Sequence, residues 1–223
     1  MAPPPFVRAV AYGLYQDRMK AAIHALKYDR LHPAAKGLGR MLAEAIAQLE
    51  TEAPPEMLVV PIPLHRTKRA ERGFNQARSL AVHALESLRG THPQWRLTLA
   101  SSTLMRLRAT ESQAGLSPRE RRLNVRGAFS VSDPAQVMGR HVLLIDDIFT
   151  TGATARAAAT ALTNAGALSV FVATLARARL VNQIGPGQRQ AGWNDWKTTP
   201  DDWPDATVRQ ASIYSSQDQP SFE

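Results

Sequence analysis

Four aliphatic residues that run straight into two adjacent carboxylates constrain this chain more than any other feature. The segment is Val142-Leu143-Leu144-Ile145-Asp146-Asp147-Ile148-Phe149-Thr150-Thr151-Gly152-Ala153-Thr154. An unbroken aliphatic run, with His141 before it, predicts a strand over His141–Ile145 that is buried on both faces, and so a parallel sheet covered by helices. The strand delivers Asp146 and Asp147 to its C-terminal end, where ligands gather in open α/β sheets. A turn of small hydroxylated residues then opens an alanine-rich helix running from about Thr154 to Asn164. Gly152 lets the backbone approach a ligand, and the N–H groups of Gly152, Ala153 and Thr154 face an anion placed there. The hydroxyls of Thr150, Thr151 and Thr154 add hydrogen bonds. Carboxylates suit vicinal sugar hydroxyls and the turn suits a phosphate; a ribose 5-phosphate carries both groups at about this separation. The simpler alternative is that Asp147 and Thr151 only cap a helix, but two acids plus Thr-Thr-Gly-x-Thr exceed what a cap requires. An ATPase Walker B strand also ends in acids, yet it needs G-x-x-x-x-G-K-[ST] upstream, and Ala35-Lys36-Gly37-Leu38-Gly39-Arg40 does not supply it.

The remaining pattern fits a parallel sheet with an N-terminal helical segment. Met19, Ile23 and Leu26 predict a helix over Tyr15–Lys27. Leu38, Met41, Leu42, Ala45, Ile46 and Leu49 form the stripe of a second helix, which Pro54-Pro55 ends. Met57–Ile62 reads as a buried strand, followed by a basic, turn-like stretch at Leu64–Gly73 and a helix carrying Ala77, Leu80, Ala81, Ala84, Leu85 and Leu88. Strands are expected at Leu97–Ser101, Ala128–Val131 and Ser169–Leu175. Residues 105–126 are crowded with arginine and lack an apolar face, which predicts an exposed or mobile connection. Beyond about Leu180 the periodicity dissolves, so the expected division is a domain over 1–180 and a polar, poorly ordered tail over 181–223, whose Trp193, Trp196 and Trp203 read as packing or contact residues.

Composition narrows the class. The 223 residues include 44% hydrophobic and 21% charged, enough for one globular core and too apolar for wholesale disorder. No apolar run reaches membrane-spanning length, and the Met1-Ala2-Pro3-Pro4-Pro5 start lacks a secretory pattern, so no membrane association and a cytoplasmic location are expected. The chain contains no cysteine, which removes disulfides, thiolate catalysis and thiolate zinc sites. The six histidines have no ligand spacing, and no metal held directly by the protein is expected. Residues 181–223 hold three cations against six carboxylates, leaving +11 on the preceding 180 residues. Such a body attracts anions, either nucleic acid or a phosphorylated small molecule.

The acidic-Thr-Thr-Gly segment resembles the phosphoribosyl pyrophosphate (PRPP) motif of type I phosphoribosyltransferases, and the chain from Tyr12 to Arg177 resembles the ComF family. The likeness is carried by Lys27-Tyr28, Val60-Pro61-Ile62-Pro63, Arg72-Gly73-Phe74-Asn75-Gln76, Arg106-x-Arg108-x-Thr110-x-x-Gln113, Arg119-x-x-Arg122-x-Asn124 and Gly127-Ala128-Phe129. The resemblance implies a type I phosphoribosyltransferase fold, binding of PRPP with Mg²⁺, and displacement of pyrophosphate at ribose C1. Asp146 and Asp147 would hold the ribose hydroxyls, and Thr150, Thr151, Gly152, Ala153 and Thr154 the 5-phosphate. Arg66, Lys68 and Arg69 would line a pyrophosphate loop with Arg72, the preferred catalytic member. Arg106 and Arg108 would act from a hood that closes over the sugar. Lys27-Tyr28 reads as a packing or rim pair. The family is linked to competence and DNA uptake, so a non-catalytic protein that binds nucleotide or single-stranded DNA, or partners a DNA-uptake ATPase, is the alternative. Family members usually carry an N-terminal zinc ribbon; this chain shows none of its cysteines.

Overall fold

The computed structural model describes residues 3–28, 32–109 and 117–178. Five strands form one parallel sheet in the order β1-β7-β6-β2-β3: β1 (Arg8–Leu14), β2 (Glu56–Pro61), β3 (Arg96–Leu99), β6 (His141–Phe149) and β7 (Ser169–Arg177). Two short strands, β4 (Leu104–Arg106) and β5 (Phe129–Val131), pair antiparallel in a separate ribbon. The helices are α1 (Asp17–Tyr28), α2 (His32–Ala47), α3 (Arg66–Arg72), α4 (Gln76–Thr91), α5 (Pro118–Val125) and α6 (Ala153–Asn164).

Alternation along β6 assigns the two faces. Leu143 and Ile145 pack into a cluster with Ile23 and Leu26 of α1, Leu42 and Ile46 of α2, and Leu80 and Ala84 of α4. Val142 and Leu144 pack into the other cluster, with Ala158 and Leu162 of α6 and with Leu104 and Phe129 of the ribbon. Both faces are therefore covered, as the unbroken aliphatic run requires. Where α2 crosses α4, a Cβ on Gly39 would lie 2.4 Å from the Cβ of His83, so this contact admits only glycine.

Three expectations are corrected. The basic stretch Leu64–Gly73 is not a turn: Arg66–Arg72 is helix α3, with His65 as N-cap and Gly73 closing it at φ 79°. It buries no residue, so it has no apolar stripe to reveal it. The connection over 105–126 contains β4 and helix α5, the latter started by a capping box in which the Ser117 side chain accepts from Glu120 N while Glu120 accepts from Ser117 N. Strand β1, absent from the sequence expectations, pairs parallel with β7. Its burial alternates only weakly, which hides an edge strand from a periodicity reading. The tail expected over 181–223, and Thr110 and Gln113, lie outside the described residues.

Candidate functional site

Strand β6 continues through Phe149, so Asp146 and Asp147 stand within the paired strand rather than after it, Asp146 opposite Thr174 of β7. Successive side chains on a strand point to opposite faces. Asp147 accordingly meets α1, where Lys27 Nζ lies 2.6 Å from its Oδ2, with side-chain exposures of 20% and 14%. Asp146 turns toward the ribbon side and interacts with Arg106 of β4. Asp146 Oδ1 also accepts the Asp147 backbone N–H at 2.9 Å. Two carboxylates are thus flanked by one cation from each face of the sheet.

The electrostatics follow from burial. Desolvation, then the charge of Asp147, lifts the Asp146 carboxyl from 3.8 to about 7, against the opposing pull of the Asp147 N–H, Lys27 and Arg106. Burial by itself would lower Lys27, but the charge and hydrogen bond of Asp147, with Asp146 behind it, raise Lys27 above the ordinary lysine value. Burial lowers Arg106, and Asp146 partly restores it. The Arg106 guanidinium also lies over the Phe129 ring, 5.4 Å from its centroid.

Beyond Phe149 the chain turns through Thr150 and Thr151 to Gly152, which starts α6 at φ 70°. No side chain caps this helix. The N-cap is Gly152, not Asp147 or Thr151, so neither of these plays the capping role that the simpler alternative gave them. Thr151 Oγ1 is buried without a hydrogen-bond partner, a condition that costs free energy unless a ligand or water satisfies it. A Cβ on Gly152 would lie 2.6 Å from Phe149 Cζ. The positive φ therefore favours glycine here, and the Phe149 ring would have to shift to admit a side chain.

The expected pyrophosphate residues sit on α3, which leaves the C-terminal end of β2 beside β6: Pro61 registers with Ile145, and Ile62 N donates to Ile145 O at 2.9 Å. Asn75 ties this corner together by donating from Nδ2 to Ile62 O at 3.1 Å while its Oδ1 caps α4. Arg66 and Arg69 are exposed; Lys68 and Arg72 are half-buried. Arg108 is exposed, and its guanidinium donates to the Arg126 carbonyl instead of reaching the carboxylates. Of the two hood arginines only Arg106 interacts with the acidic pair. Lys27, assigned from sequence to packing or a rim, contacts the acidic pair; Lys27-Tyr28 contributes to the family likeness, but nothing in that pair of residues links it to the carboxylates. Among the described residues no group of three or more His, Cys, Asp or Glu could hold a metal, and no helix is long and apolar enough to cross a membrane.

Residues 75–207 match the phosphoribosyl transferase domain family, a match that runs past the expected boundary at 180. The chain is 36% identical over 177 residues to the DNA utilization protein YhgH of Escherichia coli strain K12, covering 78% of this chain and 74% of that one. It is 27% identical to competence protein F of Haemophilus influenzae, covering 78% and 75%. With competence protein ComFC of Bacillus subtilis the identity is 32%, covering 73% and 61%. A solved glutamine PRPP amidotransferase from B. subtilis, complexed with ADP and GMP, superposes at a TM-score of 0.38 with 26% identity; it covers 63% of this chain, which spans 26% of that structure. The parallel β1-β7-β6-β2-β3 sheet and the family match together define a type I phosphoribosyltransferase fold. The chain belongs to the phosphoribosyl transferase domain family and, within it, to the ComF group.

Proposed function

We propose that this chain binds PRPP at Asp146–Thr154 and displaces pyrophosphate from ribose C1. The observation that carries the reading is the start of α6: an uncapped helix N-terminus beside a buried, unpartnered Thr151 hydroxyl, reached directly from two adjacent carboxylates. A helix N-terminus and the unpartnered Thr151 hydroxyl favour an anion there, and carboxylates favour hydroxyl donors. A 5-phosphate in the turn and ribose hydroxyls on Asp146 and Asp147 would satisfy both ends of one ligand.

In the transfer, the C1–O bond to pyrophosphate breaks with its electron pair leaving on pyrophosphate, and the acceptor supplies the pair for the new bond. The protein's part is positioning and charge stabilisation. Arg72 and the exposed Arg66 and Arg69 of α3, with Lys68, supply positive charge beside the site for the departing group, and Arg106 approaches from the ribbon. Mg²⁺ fits this site only as a companion of the ligand: two carboxylates, one held by Lys27, do not form a protein cage. Bound with PRPP, it would supply charge neutralisation on pyrophosphate.

A role in DNA utilisation or uptake is proposed from the names of the relatives. The exposed cations of α3 favour a second reading, in which the domain binds nucleotide or single-stranded DNA without transfer, alone or beside an uptake ATPase. Calorimetry separates them. PRPP with Mg²⁺ is expected to bind wild type and to fail with Asp146→Asn/Asp147→Asn. Unchanged affinity in the double variant refutes the site, and DNA binding that weakens steeply with salt, without PRPP turnover, favours the second reading.

A further inference from the structure

The Lys27–Asp147 contact joins the first helix of the chain to a motif 120 residues later in sequence. Helix α1 is anchored by Ile23 and Leu26, both fully buried, and Lys27 follows Leu26 directly. This anchoring delivers its ammonium to Asp147 Oδ2 at 2.6 Å. Lysine does not give up water without a reason, because burying its charge is costly unless a partner compensates. An ordinary exposed pair would bring little stability and would not need this placement. The contact is made at Oδ2, so Oδ1 is the oxygen that would accept from a hydroxyl.

From this geometry we infer that Lys27 is a positioning residue of the ribose-hydroxyl site: it holds the Asp147 carboxylate aimed, and thereby keeps the Asp146–Asp147 pair able to accept hydrogen bonds from two hydroxyls. The inference rests on the ribose 5-phosphate reading above. Two adjacent carboxylates oppose each other's ionisation, and a cation beside one of them lowers the cost for both. The charged groups that act on the pair are Lys27 of α1 and Arg106 of β4, and Tyr15, before α1, acts on Lys27. Arg106 engages Asp146 from the opposite face, so it does not replace Lys27 at Asp147. The rise of Asp146 to about 7, with Lys27 among the groups restraining it, agrees with this role.

The test is ribose 5-phosphate affinity from pH 5.5 to 9 for wild type, Lys27→Met, Lys27→Gln and Lys27→Arg, with a thermal melt of each. The phosphate titration of the ligand is common to all four. Wild-type affinity is expected to fall as pH drops through about 7. In Lys27→Met and Lys27→Gln the fall should move up by about one unit, giving about fivefold weaker binding at pH 7 and convergence by about pH 9. Lys27→Arg should restore the wild-type midpoint. A side chain that only packs would weaken binding equally at every pH, and an unmoved midpoint in folded Lys27→Met or Lys27→Gln overturns the inference. Carboxyl ¹³C titration of Asp146 reads the same midpoint without ligand. If wild type fails to bind ribose 5-phosphate, the ligand reading falls by itself. An unmoved carboxyl titration in the Lys27 variants then overturns the role of Lys27 separately.

Discussion

Replacing Asp146 by Asn should stabilise the protein while removing ligand binding. The Asp146 carboxyl sits near 7 in the folded protein against an ordinary 3.8, raised first by burial and then by Asp147. Ionising it in the fold therefore costs free energy that the unfolded chain does not bear. The gap of about three units corresponds to an upper limit of about 4 kcal/mol. Local adjustment around the strand end reduces this, and a gain of about 1 kcal/mol or more is expected. The sign follows from linkage. Between about pH 4 and pH 7 the folded state keeps a proton that the unfolded state has released, so this group's contribution is present below pH 4 and is lost as pH rises through 7. Asparagine cannot ionise, keeps an oxygen to accept the Asp147 N–H, and avoids the loss. At pH 8 the variant should melt about 2–10 °C higher than wild type, from the usual 2–4 °C per kcal/mol for a chain of this size. Near pH 4 the two should coincide. The assay is thermal melting of both proteins from pH 4 to pH 8.5, with ribose 5-phosphate titration at pH 8. A variant less stable than wild type at pH 8, with the same pH dependence, would refute the reasoning and make Asp146 a structural anchor.

Thr151→Val should weaken ribose 5-phosphate binding by about 1.5–3 kcal/mol, or about ten- to a hundredfold, because a hydroxyl bonded to a charged phosphate is lost. Its melting temperature should not fall, since Oγ1 has no partner to lose. Gly152→Ala should lower stability by at least the ~1–2 kcal/mol of a left-handed non-glycine residue, with further cost from the Phe149 ring 2.6 Å from the new Cβ; a urea melt measures it, and an unchanged midpoint counts against the geometry. Arg106→Leu should reduce PRPP affinity more than Arg108→Leu, because only Arg106 interacts with the carboxylates while Arg108 is spent on the Arg126 carbonyl; calorimetry showing the reverse order would place the hood differently.

The core of this fold is legible in sequence because its signals are strong and local. Val142–Ile145 can only be a doubly covered strand, and Thr-Thr-Gly before an alanine-rich run marks the helix start, with Gly152 at positive φ. Helices α2 and α4 show themselves through wide apolar stripes. What stays hidden lacks periodicity. Helix α3 buries nothing, and β1 is an edge strand whose partner, β7, lies over 150 residues away. The site divides in the same way. The carboxylates and the turn are contiguous and announce themselves, whereas the two cations reach them from α1 and β4 by tertiary packing alone. No spacing rule separates Arg106 from Arg108, and the likeness that singles out Lys27-Tyr28 does not say that Lys27 meets Asp147. Those assignments depend on which face of β6 each acid occupies.

The most direct test of the central claim is a ¹H–¹⁵N correlation spectrum of the protein titrated with ribose 5-phosphate. The account predicts saturable shifts largest at the amides of Thr151, Gly152, Ala153 and Thr154, with smaller ones at Asp146 and Asp147, and none at the turn with unphosphorylated ribose. Shifts confined to α3 and α5, or a turn that does not respond at saturating ligand, would contradict it.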